Sequence, residues 1–266
     1  MTSESGGKVK QAILRPIRHG LTLLYVPVAL LILWSIISYI SESTLVVGPI
    51  EALHQIETSL TSKRYIESLV STLYTLVAAF VTAVIVGGAF GFLLGLYPFW
   101  RRVLSPIAHG VYSIPLVTVF PIFLVFFGLG LTSRTAFAFM HGVIPMMIVV
   151  MEATNALRSS DIYLKLGASL EMSFPQLVFK IILPGIFPAF LTASRLTFGL
   201  VFLGTILAEM FTANGGLGHE LIRNMYLVKI DRILAQIVLI GLLALIPNGL
   251  LRVLEVRTAN KSSHTV

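Results

Sequence analysis

Apolar and polar positions form blocks along this chain, with long apolar runs separated by short polar stretches. Six of the runs reach about the 20 residues that a helix needs to cross a bilayer. We therefore predict six membrane-spanning helices, over residues 21–40, 69–96, 103–129, 135–157, 177–211 and 233–254. The fold class that follows is all-α and polytopic, with several runs long enough to be tilted or broken.

The two ends of the chain differ from its apolar centre. We divide the chain into a basic N-terminal segment (1–20), a transmembrane domain (21–257) and a polar C-terminal tail (258–266). The first apolar run lacks the small-residue cleavage site of a signal peptide. We expect it to be retained as the first span.

The segment 159–188, between the fourth and fifth predicted spans, has a pattern of its own. Apolar and polar positions alternate there as in a helix with one apolar side. The apolar positions are Leu164, Leu166, Gly167, Leu170 and Met172, and the polar ones are Asp161, Lys165, Ser169 and Glu171. Pro175 then interrupts the pattern. A short amphipathic helix between two spans indicates a docking surface for a partner.

The distribution of Lys and Arg predicts the orientation of the spans. Twelve fall on one side of the predicted membrane: Lys8, Lys10, Arg15, Arg18, Arg101, Arg102, Arg158, Lys165, Lys180, Arg252, Arg257 and Lys261. Six fall on the other side: Lys63, Arg64, Arg134, Arg223, Lys229 and Arg232. Because cytoplasmic loops carry the excess of basic residues, we predict that both termini and the segment 159–180 are cytoplasmic.

Glycines and prolines inside the runs predict how the spans pack and bend. Gly87, Gly91 and Gly95 recur every four residues, the spacing that lets another helix approach closely in a membrane. Pro115 and Pro121 lie in the third run, where each removes a backbone donor. These two positions either line a transport path or are plain kinks.

Arg195 is a charge near the middle of the fifth run, with Thr192 and Gly199 on the same helix face. An arginine at that depth costs about 2.5–3.5 kcal/mol on insertion scales, so it should face protein or water. It either lies beside a path for anions or pairs structurally with carbonyls or a carboxylate on another helix. Glu152 and Glu209 lie near span ends, where their side chains are expected to reach water.

Composition limits the chemistry of this chain. Apolar residues make up 56% of it and charged residues 12%, against about 25% charged in soluble domains. The net charge of +7 is spread between apolar runs, which indicates membrane topology and not nucleic-acid binding. No cysteine is present, and His109 and His141 are isolated, so we expect no metal site and no cofactor.

Motifs for nucleotide binding and catalysis are missing. The sequence has no GxxxxGK[ST] loop, no HExxH and no GxSxG. We predict no catalytic residue and no enzymatic activity. If transport is driven by ATP, another polypeptide must hydrolyse it.

The segment 161–188 resembles the EAA loop of membrane subunits in bacterial ABC importers. The pattern of that loop is E-A-A-x3-G, about nine residues, and I-x-L-P. Counting back without gaps from I-I-L-P at 181–184 places Lys165 at the Glu and Glu171 at the Gly.

A second alignment allows four extra residues before Ile181. It places Asp161 at the Glu and Gly167 at the Gly, and we prefer it because residues 166–169 carry letters frequent in that family. The alanines of the pattern are absent in both alignments.

Further stretches resemble the nitrate/sulfonate/taurine branch of these permeases. In chain order they are Gly48-Pro49, Ser113-Ile114-Pro115, Pro121 with residues 127–130, Leu183-Pro184 with Pro188, Arg195, Ala208-Glu209 and residues 213–218. The resemblance covers about residues 21–257. It implies the type I ABC importer permease fold, with a cytoplasmic coupling helix between spans four and five.

The resemblance also implies partners. They are two ABC ATPase subunits, a second permease subunit that is expected to be a copy of this chain, and a periplasmic or lipid-anchored solute-binding protein. The implied location is the bacterial inner membrane, and the implied mechanism is alternating access driven by ATP.

Three sets of site residues follow from this resemblance. ATPase coupling is assigned to Asp161, Leu164, Lys165, Leu166, Gly167, Ala168, Ser169, Leu170, Glu171, Met172 and Phe174. The translocation path is assigned to Pro115, Pro121, Thr192, Arg195 and Gly199. The loop facing the binding protein is assigned to Asn214, Gly215, Gly216 and Gly218, for which a plain Gly-rich helix end is the alternative.

The solute implied by the branch is a small organic or inorganic anion. Import of a vitamin precursor or an aromatic acid by the same mechanism is one alternative. Another is a secondary transporter driven by an ion gradient, although such proteins usually show internal repeats and more spans.

Overall fold

The computed structural model describes residue 25 and residues 27–40, 47–212 and 215–263. All regular structure in these residues is helical, in agreement with the predicted all-α class. In chain order the helices are α1 (Pro27–Ile40), α2 (Pro49–Leu60), α3 (Lys63–Leu96), α4 (Pro98–Tyr112), α5 (Phe120–Phe127), α6 (Leu131–Arg158), α7 (Asp161–Ser169), α8 (Phe174–Gly185), α9 (Phe187–Phe211), α10 (Leu217–Tyr226) and α11 (Ile230–Ser263). The N-terminal segment 1–20 lies outside the described residues.

Four helices among the described residues are long and apolar enough to cross a membrane: α3, α6, α9 and α11 as far as Arg257. The run predicted as one span over 103–129 is broken, because α4 and the helical segment Leu116–Phe127 meet at 84°. Counting this bent pair as one span gives five. The short apolar helix α1 covers the described part of the run predicted over 21–40.

The predicted fifth span over 177–211 is also divided. Its first part belongs to α8, whose middle turn Val178–Ile182 is π-helical, and the long helix α9 begins only at Phe187. Pro184 and Pro188 lie on either side of this boundary, where each lacks the N–H that a continuous helix would use. The membrane-spanning helix is therefore shorter than the apolar run.

The predicted close approach along the glycine row is confirmed at the contact of α3 with α6. A Cβ added at Gly87 would lie 2.6 Å from the Val143 carbonyl oxygen, and one at Gly95 would lie 2.7 Å from the Met151 carbonyl oxygen. Gly91 lies between them, against the same helix. Contacts advance along both helices together, so α3 and α6 run parallel.

Helix α9 runs antiparallel to this pair and completes a three-helix core. Gly142 of α6 lies against Thr197 and Val201 of α9, and Ala83 of α3 closes the same cluster. Helix α11 packs on α9 in the opposite direction, with Asn248 beside α9.

These directions give the bundle two distinct ends. At the α7 end, α3, α6 and α11 finish, α9 begins, and α7 lies. At the α10 end, α3, α6 and α11 begin, α9 finishes, and α10 lies. The two predicted groups of basic residues separate accordingly, with Arg101, Arg158, Lys165, Arg252 and Arg257 at the α7 end and Lys63, Arg64, Arg134, Arg223, Lys229 and Arg232 at the α10 end.

Candidate functional site

Helix α7 presents an apolar face that the rest of the described chain leaves uncovered. Ile162 is 75% exposed, Leu166 is 44% exposed and Leu170 is 59% exposed, and Phe174 after the helix is also exposed. Ile162, Leu166 and Leu170 recur every four residues, so they lie along one side of α7. An uncovered apolar stripe outside the spans is the kind of surface that a partner buries.

The residues predicted to couple to an ATPase lie in α7, in the turn that follows it, or, for Phe174, at the start of α8. Exposed side chains, besides those of Leu166, Leu170 and Phe174, belong to Asp161, Lys165, Ala168, Ser169 and Glu171. Met172 is half-buried and Gly167 is buried, while Leu164 contributes to the backbone of the helix. Ile162, the most exposed apolar residue of the segment, was missed, although its i, i+4 spacing to Leu166 could have identified it.

The end of α7 bears on the alignment with the EAA pattern. The N–H of Met172 donates to Gly167 O (2.9 Å) and that of Glu171 to Ala168 O (3.1 Å), the two bonds of a Schellman motif. Glu171 has φ +49°, the left-handed conformation that glycine adopts most readily. The left-handed residue after α7 is thus Glu171, which the ungapped alignment places at the glycine position.

Gly167 is nevertheless constrained by packing. A Cβ added there would lie 2.9 Å from Leu177 Cδ1. The turn after α7 leads directly into α8, which begins with a capping box between Ser173 and Gln176. The backbone N–H of Ser173 donates to Gln176 Oε1 at 2.9 Å. Helix α7 is thus held close to α8 by a short, hydrogen-bonded turn.

Arg195 pairs with two side chains of α11. Its Nε donates to Asn248 Oδ1 (2.9 Å) and its guanidinium lies 3.2 Å from Glu255 Oε2. Thr192 donates to the other oxygen of Glu255 at 2.6 Å. The structure therefore contains the carboxylate partner on another helix that one of the two sequence interpretations required.

Thr192, Arg195 and Gly199 also share one side of an open groove. The groove has a volume of about 470 Å³ and is further lined by Leu196, Leu200 and Asn248. The walls are largely apolar, and Arg195 and Thr192 supply its polar groups on α9. These three predicted path residues are thus brought together.

Pro115 and Pro121 lie elsewhere, at the bend between α4 and α5. Pro115 precedes the short 3-10 turn Leu116–Val119, and Pro121 occupies the first turn of α5. Both prolines are exposed. They are not among the residues that line the groove beside Arg195.

The Gly-rich loop at the α10 end folds onto the carboxylate of Glu209. Gly215 and Gly216 each have φ +100°, and Gly216 is in contact with the Glu209 carboxylate. The N–H of Gly218 donates to Glu209 Oε2 at 3.0 Å. Asn214 lies outside the described residues. The described glycines thus start α10 against the end of α9.

Glu209 is fully buried, so the expectation that it reaches water is wrong. Thr72 of α3 donates to its Oε2 at 2.9 Å and accepts a hydrogen bond from the N–H of Leu217 at 2.8 Å. Its other oxygen, Oε1, lies 3.8 Å from the guanidinium of Arg134. Glu152 does reach water, and it pairs with Arg101 at 3.3 Å.

Arg134, which the sequence placed in a loop, is a buried residue of the first turns of α6. Its guanidinium donates to Gly215 O (2.8 Å) and to Ser71 Oγ (3.3 Å). Only 5% of its side chain is exposed. A buried charge remains ionised only when another charge or several hydrogen bonds stabilise it. Arg134 and Glu209 lie close enough to attract each other, at 3.8 Å, although they are 75 residues apart in sequence.

Two amides extend this buried network to α11. Gln236 donates to the Leu217 carbonyl oxygen and accepts from Asn224 Nδ2 at 3.1 Å. We call Thr72, Arg134, Glu209, Asn224 and Gln236, with the backbone of 215–218, the Glu209 network. It joins five helices at the α10 end.

Metal-ligating side chains do not cluster in the part of the chain that the structure describes: no three His, Cys, Asp or Glu residues lie close enough to hold an ion. His141 is buried against the ring of Phe137, with ring centroids 4.5 Å apart. Its Nδ1 lies 3.0 Å from the Phe137 carbonyl oxygen. This histidine is part of the helix packing.

Similarity to a solved structure concerns the fold. A chain in an inward-facing structure of the MetNI methionine ABC transporter matches 74% of this chain and 94% of its own length, with a TM-score of 0.60 and 19% identity. At this level of identity the likeness establishes the same arrangement of helices and nothing about the solute.

Curated relatives are permeases as well. The taurine transport system permease protein TauC of Escherichia coli (strain K12) is 29% identical over 192 residues, which are 72% of this chain and 69% of that protein. The putative aliphatic sulfonates transport permease protein SsuC of Bacillus subtilis (strain 168) is 22% identical over 235 residues, covering 87% and 84% of the two chains.

The sequence profile of one family covers most of the chain. It is described as the binding-protein-dependent transport system inner membrane component, and it matches residues 83–260. The match includes α6, α7, α9 and most of α11, and thus the segment that resembles the EAA loop. This protein belongs to the family of binding-protein-dependent transport system inner membrane components, the permease subunits of ABC importers.

Proposed function

We propose that this chain is the membrane-spanning subunit of an ATP-driven importer and that α7 is where a partner ATPase acts on it. The observation that carries the proposal is the uncovered apolar stripe of Ile162, Leu166 and Leu170. It lies between two spans, and the sequence contains no nucleotide-binding loop of its own. The family supplies the expectation that ATP hydrolysis takes place on another chain.

The position of α7 suits the transmission of movement. The helix follows α6 after two residues and is held to α8 by the capped turn at Ser173. Val178 and Ile182 of α8 are buried against Met146 and Val150 of α6. A push on α7 therefore reaches α6 and α8 together as a rigid unit, which is what coupling between two discrete arrangements needs.

The transporter we propose contains two copies of this chain, two ATPase subunits and a solute-binding protein. The α7 end faces the cytoplasm, with both termini, because more of the basic residues lie on that side. The α10 end faces the binding protein, and Gly215, Gly216 and Gly218 lie there. Because these glycines are folded onto Glu209, we propose that they hold the surface at the α10 end in place and do not themselves contact the binding protein.

The solute we propose is a small anion of the sulfonate class. Its support is the similarity to permeases named for taurine and for aliphatic sulfonates. The solute passes along a path to which the groove at Thr192, Arg195 and Gly199 belongs, and the bend at Pro115 and Pro121 lets α4 and α5 change their angle. Since Glu255 neutralises Arg195, this pair must separate before Arg195 can attract an anion.

The path assignment is tested by Arg195→Gln. In cells that import the solute, uptake by this variant should fall by about tenfold or more, because a charge-assisted contact is removed. Arg102→Gln, an exposed arginine outside the groove, should leave uptake unchanged. Normal uptake by an Arg195→Gln variant that assembles normally would limit this residue to a structural role.

Coupling is tested by site-specific photocrosslinking from position 166 in intact cells. We expect an adduct whose partner peptides contain a GxxxxGK[ST] loop, because Leu166 would be buried in the ATPase. The matched control carries the crosslinker at Ile50 of α2, which is 83% exposed and lies outside α7. An ATPase adduct from Ile50 but not from position 166 would refute the assignment.

A second experiment measures ATP-driven uptake and capture of the ATPase in two double variants. Ile162→Glu/Leu166→Glu, on α7, should lose both. Ile50→Glu/Leu53→Glu, on α2, should retain both. Accumulation of solute in proteoliposomes that contain this chain alone would contradict ATP coupling altogether and would support a secondary transporter.

A further inference from the structure

A polar cleft at the α10 end lies apart from the groove beside Arg195. It has a volume of about 300 Å³ and opens where α2 and α10 end and where α3 and α11 begin. Its walls are formed by Thr58, Ser59, Ser62, Arg64, Tyr65, Glu220, Arg223, Asn224, Leu227, Lys229 and Arg232. Most of this lining is polar, so any ligand would be recognised by charge and hydrogen bonds.

Two arginines of the cleft share one carboxylate. Arg64 Nε lies 2.8 Å from Glu220 Oε1, and the Arg223 guanidinium lies 3.2 Å from Glu220 Oε2. Glu220 is buried, with 7% of its side chain exposed, whereas the arginines are half-exposed. Glu220 therefore orients both guanidinium groups and neutralises only one of the two charges.

Lys229 and Arg232 add two positive charges to the lining, whereas Asp231, which lies between them in the sequence, is not part of it. Neither has an ion-pair partner among the residues that the structure describes, and both line the cleft. Four cations and one carboxylate leave the lining with a net charge of +3. The nearby acid Glu67 is paired with Lys63 at 3.9 Å and does not line the cleft.

Helix dipoles do not supply this excess. Two helices begin at the cleft and two end there, so their partial charges largely cancel. The side chains decide the sign, and the hydroxyl groups of Ser59 and Ser62 add neutral hydrogen-bond donors. Arginines beside lysine and hydroxyl groups are the donors that recognise tetrahedral oxyanions in proteins.

We propose that this cleft binds the oxyanion group of a small anion, a sulfonate, sulfate or phosphate, at the end of the bundle opposite α7. Glu220 holds Arg64 and Arg223 in place, and Lys229 and Arg232 complete the charge. If the proposed orientation holds, the cleft lies on the side from which the solute arrives and collects it by electrostatic attraction. The binding itself requires neither that orientation nor an ATPase.

The oxyanion can come from two sources, a free solute or the phosphate of an anionic lipid at the membrane surface. Both present several oxygens on one tetrahedral centre and so share the same donors. Lipid would reach the cleft from the bilayer, whereas the solute would reach it from water. A change of lipid, with the protein unchanged, therefore distinguishes the two sources.

The experiment measures binding of radioactive sulfate to the purified full-length chain by equilibrium dialysis. One arm uses nanodiscs of phosphatidylcholine, and the other uses nanodiscs that contain phosphatidylglycerol. Ethanesulfonate is the competitor. The variant is Lys229→Gln/Arg232→Gln, and the control of equal charge change is Lys63→Gln/Arg102→Gln, whose residues are exposed and outside the cleft.

We expect saturable sulfate binding in phosphatidylcholine that ethanesulfonate displaces. The Lys229→Gln/Arg232→Gln variant should bind at least about tenfold more weakly, since each cation contributes a charge-assisted hydrogen bond. The control should stay within about twofold. Loss of sulfate binding only in phosphatidylglycerol would identify lipid phosphate as the occupant of the same site.

Three results would overturn the proposal. The first is the absence of saturable sulfate binding in both lipids. The second is an equal loss of binding in the control, which would indicate a diffuse charge effect. The third is sulfate binding by the Lys229→Gln/Arg232→Gln variant that equals that of the unchanged chain. Because the assay contains no ATP or ATPase, failure here leaves the coupling role of α7 untouched.

Discussion

The two ends of the bundle differ in what they bury: the α10 end buries charged groups, and the α7 end leaves apolar side chains exposed. At the α10 end, Arg134 and Glu209 are withdrawn from solvent and held by hydrogen bonds to Thr72, Gly215 and Gly218. At the α7 end, apolar side chains remain uncovered. A buried polar network stabilises one arrangement strongly, because every broken contact leaves an unsatisfied group. An exposed apolar face contributes almost nothing until a partner covers it.

This difference indicates which end is fixed and which is free to be acted upon. The Glu209 network joins five helices into one unit at the α10 end. Helix α7 contacts its neighbours along the chain, α6 and, through Gly167 and Leu177, α8. We infer that the α10 end is rigid and that the α7 end can move when a partner binds to it. A transporter driven by a partner needs one fixed end and one end that the partner can move.

The largest expected effect comes from breaking the anchor with Glu209→Gln. We expect the free energy of unfolding to fall by about 3–5 kcal/mol, because Arg134 would stay buried without its carboxylate. The measurement is the melting temperature of the purified chain in detergent. Glu152→Gln, at the half-exposed pair with Arg101, should cost less than about 1 kcal/mol. Equal melting of the two variants would refute the role of the network.

A smaller loss is expected where α3 meets α6, between the two ends. Gly91→Ala should cost about 1–3 kcal/mol, since the added Cβ would collide with the Met147 carbonyl oxygen. Gly241→Ala is the matched control, because no atom lies within 4 Å of its added Cβ. The control should stabilise its helix by up to about 1 kcal/mol. A stabilising Gly91→Ala would contradict the close approach.

Relief of backbone strain at the α7 end should stabilise the chain. Glu171→Gly is expected to raise the free energy of unfolding by about 0.5–1 kcal/mol, because glycine adopts φ +49° without a steric penalty. Ser169→Gly, two residues earlier in the helix, should instead be destabilising. Val228, with φ +53° at the α10 end, offers the same test there. Destabilisation by Glu171→Gly would show that its side chain has a structural role.

The smallest expected effect sharpens the comparison most. Ile162→Ser should change the free energy of unfolding of the isolated chain by less than about 0.5 kcal/mol, since the Ile162 side chain is exposed. Ile182→Val, nearby but buried, should cost about 0.5–1.5 kcal/mol. A large loss of unfolding free energy in Ile162→Ser would mean that other parts of this chain already cover the apolar face of α7, which would then be closed to a partner.

Local patterns in the sequence were sufficient for much of the fold. Apolar runs identified the long helices, and the four-residue spacing of Gly87, Gly91 and Gly95 identified a close helix contact. The amphipathic pattern after residue 159 located α7 within the correct segment. Each of these signals depends on neighbours within a few turns of one helix, so no knowledge of distant contacts was needed.

The candidate sites depended more on contacts between distant residues. Arg195 was recognised because a charge inside an apolar run is conspicuous, yet its partners Asn248 and Glu255 lie on another helix. Arg134 was placed in a loop because it precedes an apolar run by one residue. Helix boundaries shift by a turn with packing, and one turn decides whether such a residue is solvated or buried.

The sequence by itself determined the class of this protein, because a membrane leaves helices as the way to satisfy the backbone and apolar length shows where they lie. Tertiary structure alone decided that Glu209 meets Arg134 and that Arg64, Glu220 and Lys229 surround one cleft. These residues are separated by up to 165 positions in the chain. A pattern within one helix carries no information about which groups another helix brings beside it, and that pairing sets the charge of a site.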